Sequence, residues 1–294
     1  MFARLALALL LAATSACQVA PAPRNAPATE LVSSCVGRDS WSDPAPPARI
    51  YGNTYFVGTC GITALLVTSR HGHVLIDGAT AEAAPSIAAN IERLGFKLSD
   101  VKLLLNSHEH FDHAGGIAQL QRMTGARLRV REPARAVFQT GRPAATDPQA
   151  ESLSPLEPAR VDGIIAGGEV VRLGPLALMA HATPGHSPGS TSWTWRSCEG
   201  RRCVRVAYAD SVSAVSADSY RFSDHPDTVA QFRATLAKVA ALDCDLLITP
   251  HPSASKLFDR LAGKGLLIEP GACRAYAGLA TQALDERLGR EQPR

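Results

Sequence analysis

The first half of the chain mixes short apolar runs with longer runs in which apolar residues recur every three or four positions. The short runs predict β-strands, at 49–57, 61–68, 73–76, 101–105 and 127–130. The longer runs predict α-helices, at 81–94, 114–123 and 133–140. This part of the chain therefore contains a sheet that is followed and flanked by helices.

The second half of the chain repeats this order. Its predicted strands are 168–173, 176–182, 192–196, 202–207 and 245–248, and its predicted helices are 224–241, 253–262 and 274–288. Strands followed by helices, twice over, favour two sheets that pack face to face with helices outside, rather than one doubly wound parallel sheet. The stretches 31–47 and 141–158 show no period and are expected to be irregular.

Three imidazoles and one carboxylate, all of them possible metal ligands, cluster after the buried run at 101–105. His108, His110, Asp112 and His113 form an H-x-H-x-D-H motif on the predicted turn between this strand and the next helix. Residues two apart in an extended segment point to the same side, so His108 and His110 can bind one ion. Imidazoles with a single carboxylate suit zinc better than calcium or magnesium.

Two further histidines each end a predicted strand. His186 lies between Gly185 and a Ser-Pro-Gly-Ser segment, and His251 lies between Pro250 and Pro252. With the motif they complete two sets of three ligands, which are His108, His110 and His186 for one ion and Asp112, His113 and His251 for the other. Three protein ligands and a solvent position are typical of catalytic rather than structural zinc.

The four remaining histidines are expected to have no role in the site; they are His71, His73, His181 and His225. Glu109 lies between two predicted ligands and is expected to point away from the metal; the alternative is that it supports the ligands from behind or faces the substrate. The segment 141–158 is expected to overhang the site. Ser253 and Lys256 have Ser-x-x-Lys spacing, which we interpret as a chance match because no partner motif accompanies it.

Composition restricts the classes of function. The chain has 294 residues, of which 46% are hydrophobic, and this supports one large domain or a fused pair of similar halves. The formal net charge is +3 with no basic run, and aromatic residues make up 5%, so nucleic-acid binding is not expected.

The N-terminus is typical of a secretory signal. Arg4 precedes an apolar stretch at 5–13, which is too short for a permanent membrane span. Cleavage after Ala28 is favoured, which makes 1–28 a signal peptide and linker and 29–294 the folded domain. The alternative is a lipoprotein site that acylates Cys17 and anchors the protein to the membrane. Either route predicts a periplasmic protein.

Six cysteines remain when Cys17 is set aside, and an even number in an exported chain predicts disulfides. Cys198 and Cys203 flank a predicted hairpin tip and are expected to pair. Proximity in sequence then predicts the pairs Cys35–Cys60 and Cys244–Cys273. A cysteine zinc site has the wrong spacing.

The order of Asp77, the motif at 108–113, His186 and His251 resembles that of the metallo-β-lactamase superfamily, from about Trp41 to the C-terminus. The resemblance implies a four-layer αββα sandwich of the α/β (α+β) class, with the metals at one edge between the sheets. It also makes Asp77 a candidate for holding the imidazole tautomers.

Several longer segments look like those of the subclass B3 enzymes. They are 55–59, 75–78, 106–108, 111–116, 183–186, 188–193 and 208–213. In that subclass no cysteine binds the second metal. The resemblance implies that Ser211 and Ser213 lie by the second zinc and help to hold the substrate carboxylate. Glu109 departs from the small residue of many members.

The expected function is hydrolysis of the amide bond of β-lactam antibiotics by a hydroxide that two Zn²⁺ ions hold, with Asp112 orienting the nucleophile. The substrate would be a penicillin, cephalosporin or carbapenem, and the enzyme a monomer. One alternative is a thioester or lactone hydrolase of the glyoxalase II type, in which an aspartate near Asp210 would bridge both metals. Another is an exported zinc-binding protein without catalysis. The residues flanking Asp210 favour the first function, with Asp210 turned away from the site.

Overall fold

Seven strands form the first sheet, and they lie side by side in chain order. They are β1 (Ala48–Tyr51), β2 (Thr54–Phe56), β3 (Leu65–Val67), β4 (His73–Ile76), β5 (Val101–Leu105), β6 (Arg127–Arg131) and β7 (Val161–Ile165). Neighbours from β1 to β4 are antiparallel, and neighbours from β4 to β7 are parallel. The carboxyl ends of β4 and β5 therefore meet at one edge of the sheet.

Five strands form the second sheet, in the computed structural model that describes residues 27–292 of the chain. They are β8 (Val170–Leu173), β9 (Leu176–Ala182), β10 (Thr191–Glu199), β11 (Arg202–Tyr208) and β12 (Leu246–Ile248). Their spatial order is β12-β11-β10-β9-β8, and only β11 and β12 pair in parallel.

Eight α-helices accompany the sheets in the described residues. They are α1 (Ala28–Ser34), α2 (Ala84–Arg93), α3 (Phe111–Ala114), α4 (Ile117–Thr124), α5 (Glu132–Thr140), α6 (Pro226–Ala240), α7 (Leu257–Leu261) and α8 (Ala272–Glu291). Helices α2, α4 and α5 cover the outer face of the first sheet, and α6 and α8 cover the outer face of the second. None of the helices in the described region is both long and apolar enough to cross a bilayer.

The alternation of side chains along each strand builds the layers. Leu65 and Val67 point into the core between the two sheets, whereas Leu66 points to the helices on the outside. Both faces of these strands are buried, so they appear in the sequence as continuous apolar runs. The expected four-layer αββα sandwich is confirmed.

Local details differ from the sequence-based predictions. The run at 49–57 is two strands, because the chain turns at Gly52, where φ is 54° and an added Cβ would lie 2.5 Å from Oγ of Ser197. Helix α1 begins at Ala28 and extends into the stretch 31–47, which was expected to be irregular, and its one buried side chain is Leu31. Strand β7 was not predicted, because its residues are mostly half-buried and lack a clear apolar run.

The six cysteines lie in the expected pairs. The Sγ–Sγ distances are 2.04 Å for Cys35 and Cys60, 2.05 Å for Cys198 and Cys203, and 2.12 Å for Cys244 and Cys273. The predicted signal segment and Cys17 lie outside the described residues, and the boundary after Ala28 stays a prediction.

Candidate metal centre

Three chain segments bring the predicted ligands to one edge of the sandwich. His108 and His110 follow β5, and Asp112 and His113 lie in the short helix α3 that comes next. His186 comes from the turn between β9 and β10 of the other sheet, and His251 follows β12. The site therefore lies between the two sheets, at the edge where β5 of the first sheet and β9 and β12 of the second sheet end.

The first predicted set converges. His108, His110 and His186 are all buried, and each offers a ligand atom within 4.8 Å of those of the other two. The ring centroids are 4.7 to 4.9 Å apart. Three imidazoles packed at this distance without a solvent layer can bind one ion in a tetrahedral arrangement with an open fourth position.

The second predicted set lies beside the first. Nε2 of His113 is 3.0 Å from Oδ2 of Asp112, and Nε2 of His251 is 3.3 Å from Nε2 of His113 and 3.4 Å from the same carboxylate oxygen. His108 shares a second group of converging ligand atoms with Asp112 and His113. The two sets are thus adjacent, as a two-metal centre requires.

The ring nitrogens that face away from the centre have protein partners in the first set. Nδ1 of His108 lies 2.8 Å from Asp210, Nε2 of His110 lies 2.9 Å from Asp147, and Nδ1 of His186 lies 3.0 Å from the carbonyl of Ser213. Such partners hold the proton on the outer nitrogen and leave the inner nitrogen free for a metal.

The inner nitrogen of His108 supports the same conclusion. Its Nε2 atom is buried, and within the described part of the chain it has no hydrogen-bond partner. A buried polar atom without a partner is costly. The donor set of imidazoles and one carboxylate is the chemistry that zinc prefers, so the residues fit the metal that the fold implies.

Asp210 does not turn away from the site, and this expectation was wrong. Its carboxylate is fully buried and holds Nδ1 of His108 at 2.8 Å. Asp210 belongs to neither group of converging ligand atoms among the described residues, and its contact with His108 is to the outer nitrogen of the ring. Asp210 therefore orients a candidate ligand from outside.

Asp77 has a role different from the expected one. Its nearest approach to an imidazole is 3.9 Å, to Nδ1 of His113, which is beyond hydrogen-bond distance. It instead accepts hydrogen bonds from the backbone N–H of Ser107 at 2.6 Å and from the Tyr208 hydroxyl at 2.6 Å. Burial raises the pKa of Asp77 to about 6. Asp77 thus shapes the backbone that precedes His108.

The electrostatics prepare the site for a cation. Burial lowers the pKa of His186 to about 4 and that of His251 to about 4, so both rings are neutral at pH 7. Burial opposes ionisation of Asp112, but the adjacent His113 outweighs it and lowers the pKa of the carboxyl. Burial likewise opposes protonation of His113, and Asp112 raises the pKa of that ring. His186 and His251 as neutral rings and Asp112 as an ionised carboxylate are thus in the forms that bind metal.

The segment 141–158 reaches over the site. Asp147, which the sequence analysis did not single out, is buried in this segment and contacts His110. The neighbouring carbonyl of Pro148 accepts a hydrogen bond from the backbone N–H of Ala217 at 2.9 Å. A lone aspartate in a turn-rich stretch gives no sequence signal of this contact.

The two serines with an expected substrate role lie close to the centre. Ser211 is buried next to Asp210. Ser213 is exposed and lies behind His186, with Oγ 3.2 Å from Nδ1 of that ring. This places Ser213 by the first ligand set rather than the second. Their contact with a substrate stays a prediction.

Solved structures similar to this chain were found across nearly its whole folded length. The metallo-β-lactamase MIM-1 from Novosphingobium pentaromativorans is 52% identical, with a TM-score of 0.88, and the match covers 90% of this chain and 98% of that one. MEM-A1, a subclass B3 metallo-β-lactamase isolated from a soil metagenome library, is 46% identical, with a TM-score of 0.82, over 86% of this chain and 98% of that one.

Sequence comparisons agree on the superfamily. A curated relative, the hydroxyacylglutathione hydrolase of Anaeromyxobacter dehalogenans (strain 2CP-C), is 32% identical over 177 residues, which are 60% of this chain and 56% of the relative. The chain thus spans little more than half the length of this relative. The model of the metallo-beta-lactamase superfamily matches residues 57–200. Together with the converging ligand sets and the αββα fold, these matches show that the chain belongs to the metallo-β-lactamase superfamily of metal-dependent hydrolases, with structural neighbours in subclass B3.

Proposed function

We propose that this chain is a subclass B3 metallo-β-lactamase that hydrolyses the amide bond of β-lactam antibiotics with two Zn²⁺ ions. One observation carries the proposal. Three imidazoles from both sheets converge within 4.8 Å at an edge where Asp112, His113 and His251 form a second cluster. The chain that builds this edge is similar to B3 enzymes over almost their entire length.

The residues that would hold the metals are His108, His110 and His186 in one set and Asp112, His113 and His251 in the other. When bound, zinc polarises a carbonyl and lowers the pKa of coordinated water towards about 7. The ionised carboxylate of Asp112 would orient the attacking water towards the lactam carbonyl. Ser211 and Ser213 would hold the substrate carboxylate, directly or through water.

Orientation of the ligands is the contribution of the surrounding protein. Asp210, Asp147 and the Ser213 carbonyl each accept a hydrogen bond from the outer N–H of an imidazole, which keeps the rings in one tautomer. Because Asp210 and Asp147 are buried, the rings of His108 and His110 would keep their positions when substrate enters, and the reaction would need little rearrangement of the protein.

Hydrolysis of a thioester or lactone is the second candidate, since the curated relative is a hydroxyacylglutathione hydrolase. The position of Asp210 speaks against it. An aspartate that bridged both metals would place its oxygens among the inner ring nitrogens, whereas Asp210 contacts the outer nitrogen of His108. The similarity to that relative also covers much less of either chain.

The proposal extends to the location of the enzyme. An exported chain acts in the periplasm, where β-lactams meet their targets and where the three cysteine pairs would be oxidised to disulfides. We propose a monomer, released after cleavage of the signal segment or anchored to the membrane if Cys17 is acylated.

The proposal is tested with the purified mature chain loaded with zinc. We expect ring opening of a carbapenem and a cephalosporin that stops with a chelator and returns with added zinc. Asp112→Asn should lose most activity, while Asp218→Asn, at an exposed position, should match the wild type. A chain that holds two zinc ions per molecule and opens neither ring would contradict the proposal, and thioesters and lactones would be assayed next.

A further inference from the structure

Glu109 is a buried carboxylate that the proposed reaction does not use. It lies between His108 and His110 in sequence, and only 3% of the residue is exposed. Burying a carboxylate is costly unless it receives hydrogen bonds. Its partners therefore indicate what the residue does.

Both hydrogen bonds of the carboxylate go to the other sheet. The hydroxyl of Ser187 donates to Oε2 at 2.9 Å, and the backbone N–H of Gly189 donates to Oε1 at 2.7 Å. Ser187 and Gly189 belong to the turn between β9 and β10, and Ser187 directly follows His186. Glu109 thus connects the segment that carries His108 and His110 to the turn that carries His186.

The fit between the carboxylate and this turn is close. A Cβ atom added at Gly189 would lie 2.3 Å from Oε2 of Glu109 and 2.7 Å from Cβ of Ala134. Glycine is thus needed at this position because a side chain would occupy the space of the carboxylate. The absence of a side chain also allows the N–H of Gly189 to reach the glutamate.

Neighbouring contacts hold the same turn from its other end. The guanidinium of Arg131 donates to the carbonyl of Ser190 at 2.8 Å, and the N–H of Thr191 donates to the carbonyl of Ser107 at 2.7 Å. Within the turn, Glu109 contacts Ser187 and Gly189. Because Ser187 directly follows His186, a change at Glu109 should move this candidate ligand. Among the described residues, the ring of His186 is hydrogen-bonded only through the contact of Nδ1 with Ser213.

We propose that Glu109 is a positioning residue, which holds the β9–β10 turn so that His186 meets His108 and His110 in a geometry suited to one metal ion. The inference rests on the proposed metal centre. It assigns to Glu109 no contact with metal or substrate, because both oxygens of its carboxylate bind the turn and, among the described residues, Glu109 belongs to neither group of converging ligand atoms.

Three variants distinguish the positioning role of Glu109 from an effect of its negative charge and from a general loss of stability. Glu109→Ala removes both acceptors. Glu109→Gln keeps an oxygen for the N–H of Gly189, and its amide can donate to Ser187, whose hydroxyl can then donate to Ser190 at 3.1 Å. Glu92→Ala is the matched control, because Glu92 is an exposed glutamate of α2.

The main measurement is zinc affinity by competition with a chromophoric chelator, and the second is the visible absorption of the Co²⁺-substituted protein. For Glu109→Ala we expect a first-ion affinity about 10- to 100-fold weaker and a changed Co²⁺ spectrum. Glu109→Gln should restore the wild-type affinity and spectrum, and Glu92→Ala should resemble the wild type throughout. If Glu109→Ala does not fold, Ser187→Ala serves instead, since it removes only one of the two hydrogen bonds and should weaken the first ion to a smaller extent.

Two results would overturn the inference. One is a folded Glu109→Ala or Ser187→Ala protein with wild-type affinity and spectrum. The other is an equal loss in the alanine and glutamine variants, because hydrogen-bond geometry would then not be the cause. A wild-type chain that binds zinc without opening β-lactams would contradict the proposed activity and leave this inference intact, whereas a chain that binds no zinc would contradict both.

Discussion

Oδ1 of Asp210 lies 2.8 Å from Nδ1 of His108, and the two residues follow central strands of opposite sheets. Neither side chain is exposed to solvent by more than 1%. Burial raises the pKa of the Asp210 carboxyl, and it lowers that of the His108 ring. The contact connects the two halves of the sandwich at the metal centre. It also gives the outer nitrogen of His108, a candidate metal ligand, a carboxylate as its hydrogen-bond partner.

Removal of this carboxylate should weaken metal binding. We expect Asp210→Ala to lower zinc affinity about 10- to 100-fold, since partners of ligating histidines have effects of this size. Asp210→Asn should lose less zinc affinity, because its amide oxygen can still accept a hydrogen bond from Nδ1–H of His108. Competition titration with a chelator measures both, with the exposed Asp218→Ala as control. Equal affinities in the alanine variant and the wild type would refute this role.

Asp147 should couple metal binding to the segment 141–158. In the wild type we expect zinc to slow hydrogen exchange of backbone amides in this segment, because the metal fixes His110 and His110 contacts Asp147. Asp147→Ala should abolish most of this protection and lower zinc affinity, since coupling between two sites is reciprocal. Hydrogen exchange with mass spectrometry tests this.

The control for that experiment is Glu157→Ala, which changes the same segment at an exposed ion pair with Arg122. This variant should keep the zinc-dependent protection. Protection that survives unchanged in Asp147→Ala would show that the contact with His110 does not transmit metal binding to the segment.

The cysteine pairs should stabilise the fold unequally. The separations are 25 residues for Cys35 and Cys60, 29 for Cys244 and Cys273, and 5 for Cys198 and Cys203. Loop-closure entropy then predicts losses of about 3 to 4 kcal/mol for serine replacement of either long pair and about 2 kcal/mol for the short one. Peptide mapping without reductant establishes the pairing, and denaturant unfolding measures the losses. A larger loss for the hairpin pair would contradict the loop-length argument.

An ion pair beside β12 should make stability depend on acid pH. Arg205 donates two hydrogen bonds to Asp245, at 2.8 and 2.6 Å, and lowers the pKa of that carboxyl to about 2. A depressed carboxyl pKa contributes stability at neutral pH, and the contribution is lost as the pH falls through about 4 towards 2. Because Arg205 is half-exposed, we expect Asp245→Asn to cost only about 1 kcal/mol at pH 7.

The pH series is the discriminating measurement for this pair. The difference in unfolding free energy between wild type and Asp245→Asn should be constant from pH 7 to 5 and should shrink at pH 3. Asp218→Asn, which alters an exposed aspartate, should show no such trend. A difference that persists or grows in acid would mean that the carboxyl charge is not the source of the stability.

The sequence by itself determined the layers and the ligand types of this protein. Apolar runs such as 101–105, which only Lys102 interrupts, revealed buried strands, and the H-x-H-x-D-H spacing placed four metal-binding side chains on a single turn. Both patterns are local, because burial and spacing repeat within a few residues. His186 and His251 were found because each ends a strand, where such folds place their sites.

Only the tertiary structure decided which groups orient those ligands. Asp210 and His108 are separated by 102 residues, Asp147 and His110 by 37, and Glu109 and Gly189 by 80. No local period relates such residues, and a carboxylate in a loop has the same pattern whether it is solvated or buried against an imidazole. The direction of the Asp210 side chain follows from the packing of the two sheets, and for this reason its flanking residues led to the wrong expectation.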